Sequence, residues 1–314
     1  MNKFLLFSLL IAFSFISLMV GSKSIAINEL FSMDEEQFLV FTASRIPRTL
    51  SLLITGAGIS VAGFIMQQIA QNKFVSPTTA GTLDAAKMGI LFALIFLPDV
   101  GLFGKISFAL VFCFIASLIF ILLIKRIQIK DIVIVPLLGI MFGNVLSAIA
   151  TYFAIKYNIV QNVEGWLMGD FSGILQGQYE TLYLIIPIVA ISYLFAYQFT
   201  LIGMGESFSK NLGVSYNTFL YIGLLLVSLT VSASVVTVGV IPFLGLIIPN
   251  LVRMYKGDNL RKNLPFIAMY GALFLLVSDI FGRIIIAPYE IPIGLMVGVI
   301  GGLIFFYLIF RRQK

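Results

Sequence analysis

Two arginines around a proline are the residues whose chemistry is easiest to name in this sequence. Arg45 and Arg48 bracket Pro47 in the stretch SRIPRTL, residues 44–50, which runs directly into a long apolar segment. A guanidinium group is a planar fork of donors that suits carboxylates, and Pro47 suits the first turn of a helix. The pair is therefore either a site for acidic groups or an anchor at a membrane interface.

Two further patterns place acids and bases at helical spacing. Asp279 and Arg283 are four residues apart with the acid first, so they can pair on one helix face. Asp84 and Lys87 are three residues apart near the start of another apolar segment. Ionisable residues within a membrane usually pair with one another and face protein or a cavity. The Asp84–Lys87 pair is thus either a buried structural pair or a constriction of a pathway.

The residues that the sequence lacks exclude most enzymatic chemistry. There is no histidine, which removes Ser–His hydrolases, zinc proteases and histidine-ligated haem proteins. The single cysteine, Cys113, lies in an apolar run and is expected to be a buried, inert thiol. Walker A, G-x-S-x-G and cysteine-cluster motifs are also missing from the sequence. We expect no enzyme activity, no cofactor, no metal site and no nucleic-acid partner.

The elements that position these residues are predicted to be membrane helices. The 314 residues are 60% hydrophobic and 11% charged, with a mean hydropathy of +1.07, whereas a soluble domain has about 25% charged residues. Long continuous apolar runs predict helices rather than barrel strands. We predict an all-α, polytopic protein with a single transmembrane domain, residues 1–314. It has about ten spans, near 3–22, 48–70, 81–98, 103–124, 132–155, 180–201, 217–237, 241–256, 264–286 and 292–310.

Two of these segments have unusual features. The first follows Lys3 and has an apolar core of membrane-span length without an A-x-A site, so we expect a retained helix rather than a signal peptide. The eighth is interrupted by Gly239, Pro242, Gly245 and Pro249. Helix breakers at membrane depth are tolerated where the backbone faces protein or a wet cavity. This eighth segment is therefore a candidate lining of a pathway.

The charges of the loops predict the orientation. One set of loops carries most basic residues, namely Lys3, Lys125, Arg126, Lys130, Lys210, Arg253, Lys256, Arg261, Lys262, Arg311, Arg312 and Lys314. By the positive-inside rule this side is cytoplasmic and holds both termini. The other side carries Glu29, Asp34, Glu35, Glu36, Asp99, Glu164, Asp170, Glu180 and Glu290, with the fewer bases Lys23, Arg45, Arg48, Lys105, Lys156 and Arg283. The three arginines Arg45, Arg48 and Arg283 are therefore predicted to lie outside.

One cytoplasmic loop has helical spacing of its own. In GMGESFSKNLGVSYN, residues 203–217, Glu206 and Lys210 are four residues apart and Gly213 suits a helix end. The stretch is either a short amphipathic helix, used for docking or as a surface lid, or a plain connection between spans six and seven.

Together these pieces resemble the permease subunits of the iron-siderophore and cobalamin ABC importer family (FecCD-type). The matching pieces follow the family's order from about residue 40 to the end of the chain. They are SRIPRTLSLLITGAGISVAGFIMQQ followed by N-x-x-x-x-P, GMGESFSKNLG, VGVIPFLGLIIPN with Arg253, and DIFGR with EIPIGLMVGVIGGLIFFYLI.

The resemblance implies partners and roles. It implies a ten-helix permease in the cell (cytoplasmic or inner) membrane that works with a second permease subunit, identical or paralogous. It also implies two cytoplasmic ATPase subunits and an external substrate-binding protein, whose acidic residues would contact Arg45, Arg48 and Arg283. The loop that enters the ATPase cleft would fall on Gly205, Glu206, Ser207, Leu212 and Gly213. The cytoplasmic gate would lie around Asn72 and Phe74.

Two departures from the family pattern bear on the cargo. The chain reads NKFVSP where the family often has N-P-L-A-D/E-P, and Pro249–Asn250 where it often has P-H. Both variants look similar to the branch that handles ferric catecholate-type siderophores, so a ferric siderophore is the expected cargo. The alternatives are a permease of the same kind for cobalamin or haem, and an ion-coupled secondary transporter that uses Asp279 or Asp84.

Overall fold

The structure is a computed structural model that describes residues 3–21, 34–127, 133–160, 168–257 and 259–312. Every regular element within these ranges is helical, apart from an isolated bridge between Met168 and Val240. The helices are α1 (Lys3–Met19), α2 (Glu35–Val40), α3 (Ile46–Ile69), α4 (Thr82–Phe96), α5 (Leu102–Ile127), α6 (Ile134–Lys156), α7 (Ile185–Leu194), α8 (Ala196–Gly203), α9 (Glu206–Asn211), α10 (Tyr216–Val238), α11 (Leu244–Lys256), α12 (Leu260–Ile284) and α13 (Ile293–Arg312).

Each predicted span overlaps a helix, with two changes at the boundaries. The second span begins earlier than predicted, because α2 continues through a π-helical turn, Phe41–Arg45, into α3. The sixth span is bent by 65° between α7 and α8, and a 3₁₀ turn, Glu180–Leu184, precedes it. Hydropathy does not predict either feature, because the early start lies in a stretch with charged residues and the bend leaves the apolar run unbroken.

The lengths of the helices support a multi-pass membrane protein. Among the described residues, five helices are long and apolar enough to cross a membrane, or six if the bent pair is one span. The helices α1, with 17 residues, and α4, with 15, are shorter than the roughly 20 residues of an upright span. The all-helical membrane fold is thus confirmed, and the number of about ten spans stays a prediction.

Helix α3 lies at the centre and packs against α10, α11 and α12. Its glycines allow close approach, as small residues commonly do between membrane helices. A side chain at Gly56 would collide with the backbone of Gly271 in α12, and one at Gly63 would collide with Gly245 in α11. Both contacts bring α11 and α12 against α3, and this packing positions the charged side chains described below.

The bundle gathers the predicted cytoplasmic and external charges at opposite ends. The ammonium groups of Lys3 and Lys256 lie 5.7 and 4.0 Å from the ring centroid of Phe266. Arg45 and Arg283 meet at the other end of the bundle, around the last turn of α1. Some residues used for the orientation, namely Lys23, Glu29, Lys130, Glu164 and Lys314, lie outside the described residues.

Candidate functional site

We call the first charged cluster the arginine end; it comprises Arg45, Arg48, Asp279, Arg283 and Glu290. Arg45 lies in the π-helical turn before α3 and is 7% exposed. Its Nη1 donates to the carbonyl oxygens of Leu18, at 2.9 Å, and Met19, at 3.1 Å. The guanidinium group therefore binds the C-terminus of α1 rather than pointing into open solvent.

Arg283 binds the same helix end from the opposite direction. It projects from α12, is 7% exposed, and its Nη1 donates to the carbonyl oxygens of Ser17, at 3.0 Å, and Val20, at 2.6 Å. Its Nη2 donates to Ser17 Oγ at 2.8 Å. The last carbonyl groups of a helix have no donor within the helix, and the helix dipole favours cations there. Arg45 and Arg283 together cap α1.

Arg48 connects two acids. Its Nη2 and Nε donate to Asp279 Oδ1, at 2.8 and 3.2 Å, and its Nη1 donates to Glu290 Oε2 at 2.8 Å. Asp279 is 2% exposed, and its Oδ2 lies 2.6 Å from Arg283 Nη2. Because α12 packs against α3, one buried carboxylate serves two guanidinium groups. Three arginines and two acids leave this cluster with one net positive charge.

The exposure of the cluster differs among its members. The Glu290 side chain is 30% exposed and the Arg48 side chain 12%, whereas Arg45 and Arg283 are almost buried. The sequence predicted the three arginines on one side. In the structure Arg48 and Arg283 share Asp279, and Arg283 and Arg45 both bind the end of α1. A partner that approaches this end would meet Glu290 and the edge of Arg48 first.

The opposite region of the molecule, which we call the loop end, comprises residues 70–81, α9 and the C-terminal half of α11. Helix α9 follows Gly205, whose φ of +107° suits glycine, and ends before Gly213, whose φ is +74°. Ser209 is buried and its Oγ lies 2.8 Å from the carbonyl oxygens of both Leu201 and Gly205, so these two acceptors share its one hydrogen. The contact with Leu201 fixes α9 to the end of α8.

The outer face of α9 is both charged and apolar. Glu206 lies 2.8 Å from Lys210 and 3.6 Å from Lys125 of α5. The hydrogen bond from Lys210 holds the pKa of Glu206 below its ordinary value. Ser207 is exposed, and so are Phe208 and Leu212. A short helix fixed on one side that exposes large apolar side chains on the other suits a protein partner.

The loop between α3 and α4 holds the residues expected to form a gate. The backbone N–H of Asn72 donates to the carbonyl oxygen of Gln67 at 3.0 Å, and Asn72 Oδ1 accepts from the backbone N–H of Phe74 at 2.8 Å. The ring of Phe74 packs edge-on against Phe305 of α13, with centroids 6.1 Å apart. Val75 is fully buried. The loop therefore has a defined shape that rests on neutral contacts.

The remaining predicted residues lie on α4. Asp84 is in its first turn, and its carboxylate lies against Gly143 of α6, where a side chain would collide with it. Lys87 follows one turn later and is 8% exposed. Cys113 is buried, and its thiol donates to the carbonyl oxygen of Thr82 at 3.3 Å. Asp84 and Lys87 lie apart from the arginine end, so the structure does not join the two predicted acid–base pairs into one site.

Comparison with known proteins places the chain in a transport family. Residues 9–311 match the FecCD transport family. The chain is 49% identical to the petrobactin import system permease protein YclN of Bacillus subtilis (strain 168), over 98% of each chain. It is 44% identical to the ferric-anguibactin transport system permease protein FatD of Vibrio anguillarum, over 95% of each chain.

A solved structure agrees in fold along the whole chain. It is described as an inward-facing conformation of a transporter assigned to the metal-chelate type of ABC transporters, and it shares 27% sequence identity with this chain. The match covers 98% of both chains with a TM-score of 0.82.

Proposed function

The chain belongs to the FecCD transport family, and from this membership we propose that it is the membrane-spanning permease subunit of an ABC importer for ferric siderophores. The observation that carries the proposal is the family match over nearly the whole chain. The relatives named above import petrobactin and ferric anguibactin, which are siderophores. Its homologues are transport permeases rather than enzymes, so ATP hydrolysis falls to partner subunits.

We propose that the chain forms a single membrane domain with about ten spans and that it lies in the cytoplasmic (inner) membrane. Both termini would then lie in the cytoplasm. The clustering of Lys3, Lys256 and the α9 lysine Lys210 near one end of the bundle supports this orientation. We further propose that a second permease subunit completes the pathway.

Two ATPase subunits would bind at the loop end, with one α9 on each permease subunit. The support is the geometry of α9, which combines a fixed inner face with exposed Phe208 and Leu212. Gly205, Glu206, Ser207, Leu212 and Gly213 would form the contact. The gate would lie nearby at Asn72 and Phe74, where side-chain hydrogen bonds and an aromatic contact with Phe305 shape the loop.

An external substrate-binding protein would dock at the arginine end. The surplus positive charge of the cluster and the exposed edge of Arg48 support this role for acidic groups of the partner. Arg45 and Arg283 would contribute by holding α1 and Asp279 in place, as well as through their charge. Arg48 is thus the arginine best placed for direct contact.

The ion-coupled alternative fits the arrangement of Asp279 less well, and the energy source of uptake tests it for Asp84. A secondary transporter needs an acid that releases and regains a cation or proton during transport. Asp279 is bound by the guanidinium groups of Arg48 and Arg283 within an almost closed cluster. An acid that neutralises two fixed arginines is poorly suited to exchange an ion.

The experiment is ATP hydrolysis and uptake by the complete importer in liposomes. Loaded binding protein should stimulate the ATPase, and uptake should survive an uncoupler but stop when ATP is depleted. Glu206→Arg should abolish both activities while the protein still inserts. Arg261→Glu, a charge reversal at an exposed residue of the same end, is the matched control. Uptake that requires an ion gradient and not ATP would overturn the proposal.

A further inference from the structure

A side-chain amide joins two distant segments at the loop end. Asn250 lies in α11, and its Nδ2 donates to the carbonyl oxygen of Lys73, 177 residues away in sequence, at 2.8 Å. The same Nδ2 donates to the carbonyl oxygen of Leu246, four residues earlier in α11, at 2.8 Å. One hydrogen of the amide is therefore used to fix the side chain on its own helix, and the other holds the loop.

The segment held in this way is the loop that carries Asn72 and Phe74. Phe74 directly follows Lys73, and its ring lies against Phe305 of α13. Phe305 in turn stacks on Phe243, which precedes α11, with centroids 6.4 Å apart. The hydrogen bond from Asn250 and this row of rings thus tie the loop to the same two helices, α11 and α13.

Helix α11 lacks one backbone hydrogen bond immediately before Asn250, because Pro249 lies inside the helix. Pro249 has no N–H, so the carbonyl group of Gly245 lacks its helical donor. That carbonyl oxygen faces Gly63 of α3 instead, where the missing side chain makes room. A helix that lacks a hydrogen bond at this level bends there more easily than an intact one. A bend at Pro249 would move Asn250 relative to Lys73.

We propose that Asn250 is a positioning residue that latches the loop of residues 71–76 to α11, and that the loop opens when this hydrogen bond breaks. The inference rests on the proposed function, because the loop is the proposed cytoplasmic gate. It also joins the two departures from the family pattern: the donor is the asparagine of Pro249–Asn250, and the acceptor lies in NKFVSP. The family often has a proline at the position of Lys73, and a proline would fix the φ angle there. In this chain the hydrogen bond from the amide of Asn250 restricts the loop instead.

The test measures how often the loop opens in the complete importer. Val75 is fully buried beside Phe74, so Val75→Cys is protected while the loop is closed. Cys113 is buried and is replaced by serine to remove background labelling. A membrane-impermeant thiol reagent is added from the cytoplasmic face, and the labelling rate of Cys at position 75 is followed in liposomes without substrate.

Asn250→Ala should raise the labelling rate by about two- to tenfold, the range that loss of one hydrogen bond supports. Asn250→Asp keeps the size but removes the donor, so it should give a similar increase. Asn250→Gln retains an amide and should recover part of the protection. Asn217→Ala, at an exposed asparagine of the same end that lies outside α9, should change nothing.

The outcomes separate the latch from the proposed function. Unchanged labelling in both Asn250→Ala and Asn250→Asp, in a complex whose ATPase responds to loaded binding protein, overturns the latch alone. Faster labelling in a complex whose ATPase ignores the binding protein supports the latch and contradicts the proposed importer. Slower labelling in both variants would mean that Asn250 holds the loop open, which also overturns the inference.

Discussion

At the arginine end, four charged side chains form ion pairs, Arg45 and Arg283 donate to the carbonyl groups of α1, and Asp279 is only 2% exposed. At the loop end most contacts are of a different kind: side-chain amide and hydroxyl hydrogen bonds, a row of phenylalanine rings, and ion pairs whose members are 40% exposed or more. Both ends position predicted functional residues, but the first does so with buried charge and the second mainly with neutral or solvated groups. Arg253 is the exception at the loop end, since its guanidinium carbon lies 4.5 Å from the ring centroid of Phe64.

The difference has an energetic consequence. Removing one partner from a buried charge network leaves an uncompensated charge and costs about 3–5 kcal/mol, whereas an exposed ion pair contributes about 0–1 kcal/mol. The arginine end should therefore keep one arrangement during transport. The loop end can exchange its contacts at lower cost, as the proposed gate requires. The following variants test this contrast, beginning with the largest expected effect.

Asp279→Asn should be the most damaging substitution. It removes the charge that neutralises Arg48 and Arg283, so we expect a loss of about 3–5 kcal/mol in the free energy of unfolding. The measurement is the yield and the melting temperature of the protein in detergent. Asp99→Asn, at an exposed aspartate, is the control and should behave as the unmodified protein. Equal melting temperatures for the two variants would show that the buried network does not add to the stability of the fold.

Arg48→Gln should weaken capture of the loaded binding protein by about tenfold at low salt, since a close charge pair across an interface contributes on this scale. Added salt should shrink the difference, because it screens attraction between charges. Reversal of Arg45 is a poorer test, because Arg45 also caps α1. Lys156→Gln, at an exposed residue of the same predicted side, is the control. Equal affinity for the variant and the control at low salt would remove Arg48 from the docking site.

Glu290→Gln also tests whether Arg48 contacts the binding protein, and we expect a smaller change in affinity than for Arg48→Gln. Glu290 Oε2 accepts a hydrogen bond from Arg48 Nη1 at 2.8 Å, and Glu290 is the more exposed of the two acids in the cluster. If an acid of the binding protein replaces it, the neutral variant should bind two- to threefold more tightly, because the internal competitor is weaker. Surface plasmon resonance with the permease in nanodiscs measures this. Weaker binding would instead mean that Glu290 orients Arg48 for its partner.

Sequence patterns predicted the helices well, because continuous apolar runs report burial in lipid directly. The early start of the second span has a local signal in the sequence. Asp34 and Gln37 form a capping box, in which Asp34 Oδ1 accepts from the N–H of Gln37 at 2.6 Å. The bend after Leu194 has no such signal, since no glycine or proline marks it. Packing against other helices, rather than local sequence, decides where that span breaks.

The site was predictable only in its local parts. The spacing of Asp279 and Arg283 indicates that they can pair, and they lie in contact. Asp279 and Glu290, the two acids that bind Arg48, are 231 and 242 residues away from it in sequence. The groups that accept hydrogen bonds from Arg45 are backbone carbonyl groups. A single sequence carries no pattern for either kind of contact. The same holds for Asn250 and Lys73, whose link depends on how α11 meets the loop.

Lys125→Ala should have the smallest effect of these variants on activity. It tests whether the exposed ion pair at the loop end contributes as little as expected. Lys125 and Glu206 are 3.6 Å apart and about 40% exposed, and Glu206 retains its closer partner Lys210 at 2.8 Å. An exposed ion pair of this kind contributes at most about 1 kcal/mol. Lys125 also lies 4.7 Å from the ring centroid of Tyr216, where α10 begins.

We therefore expect Lys125→Ala to lower the stimulated ATPase less than twofold, against the complete loss expected for Glu206→Arg. Lys125→Gln keeps the length of the side chain and separates the loss of charge from the loss of contact with Tyr216. The measurement is the ratio of stimulated to basal ATP hydrolysis in liposomes. A tenfold loss in both lysine variants would mean that the loop end also depends on a fixed charge, and the contrast between the two ends would not hold.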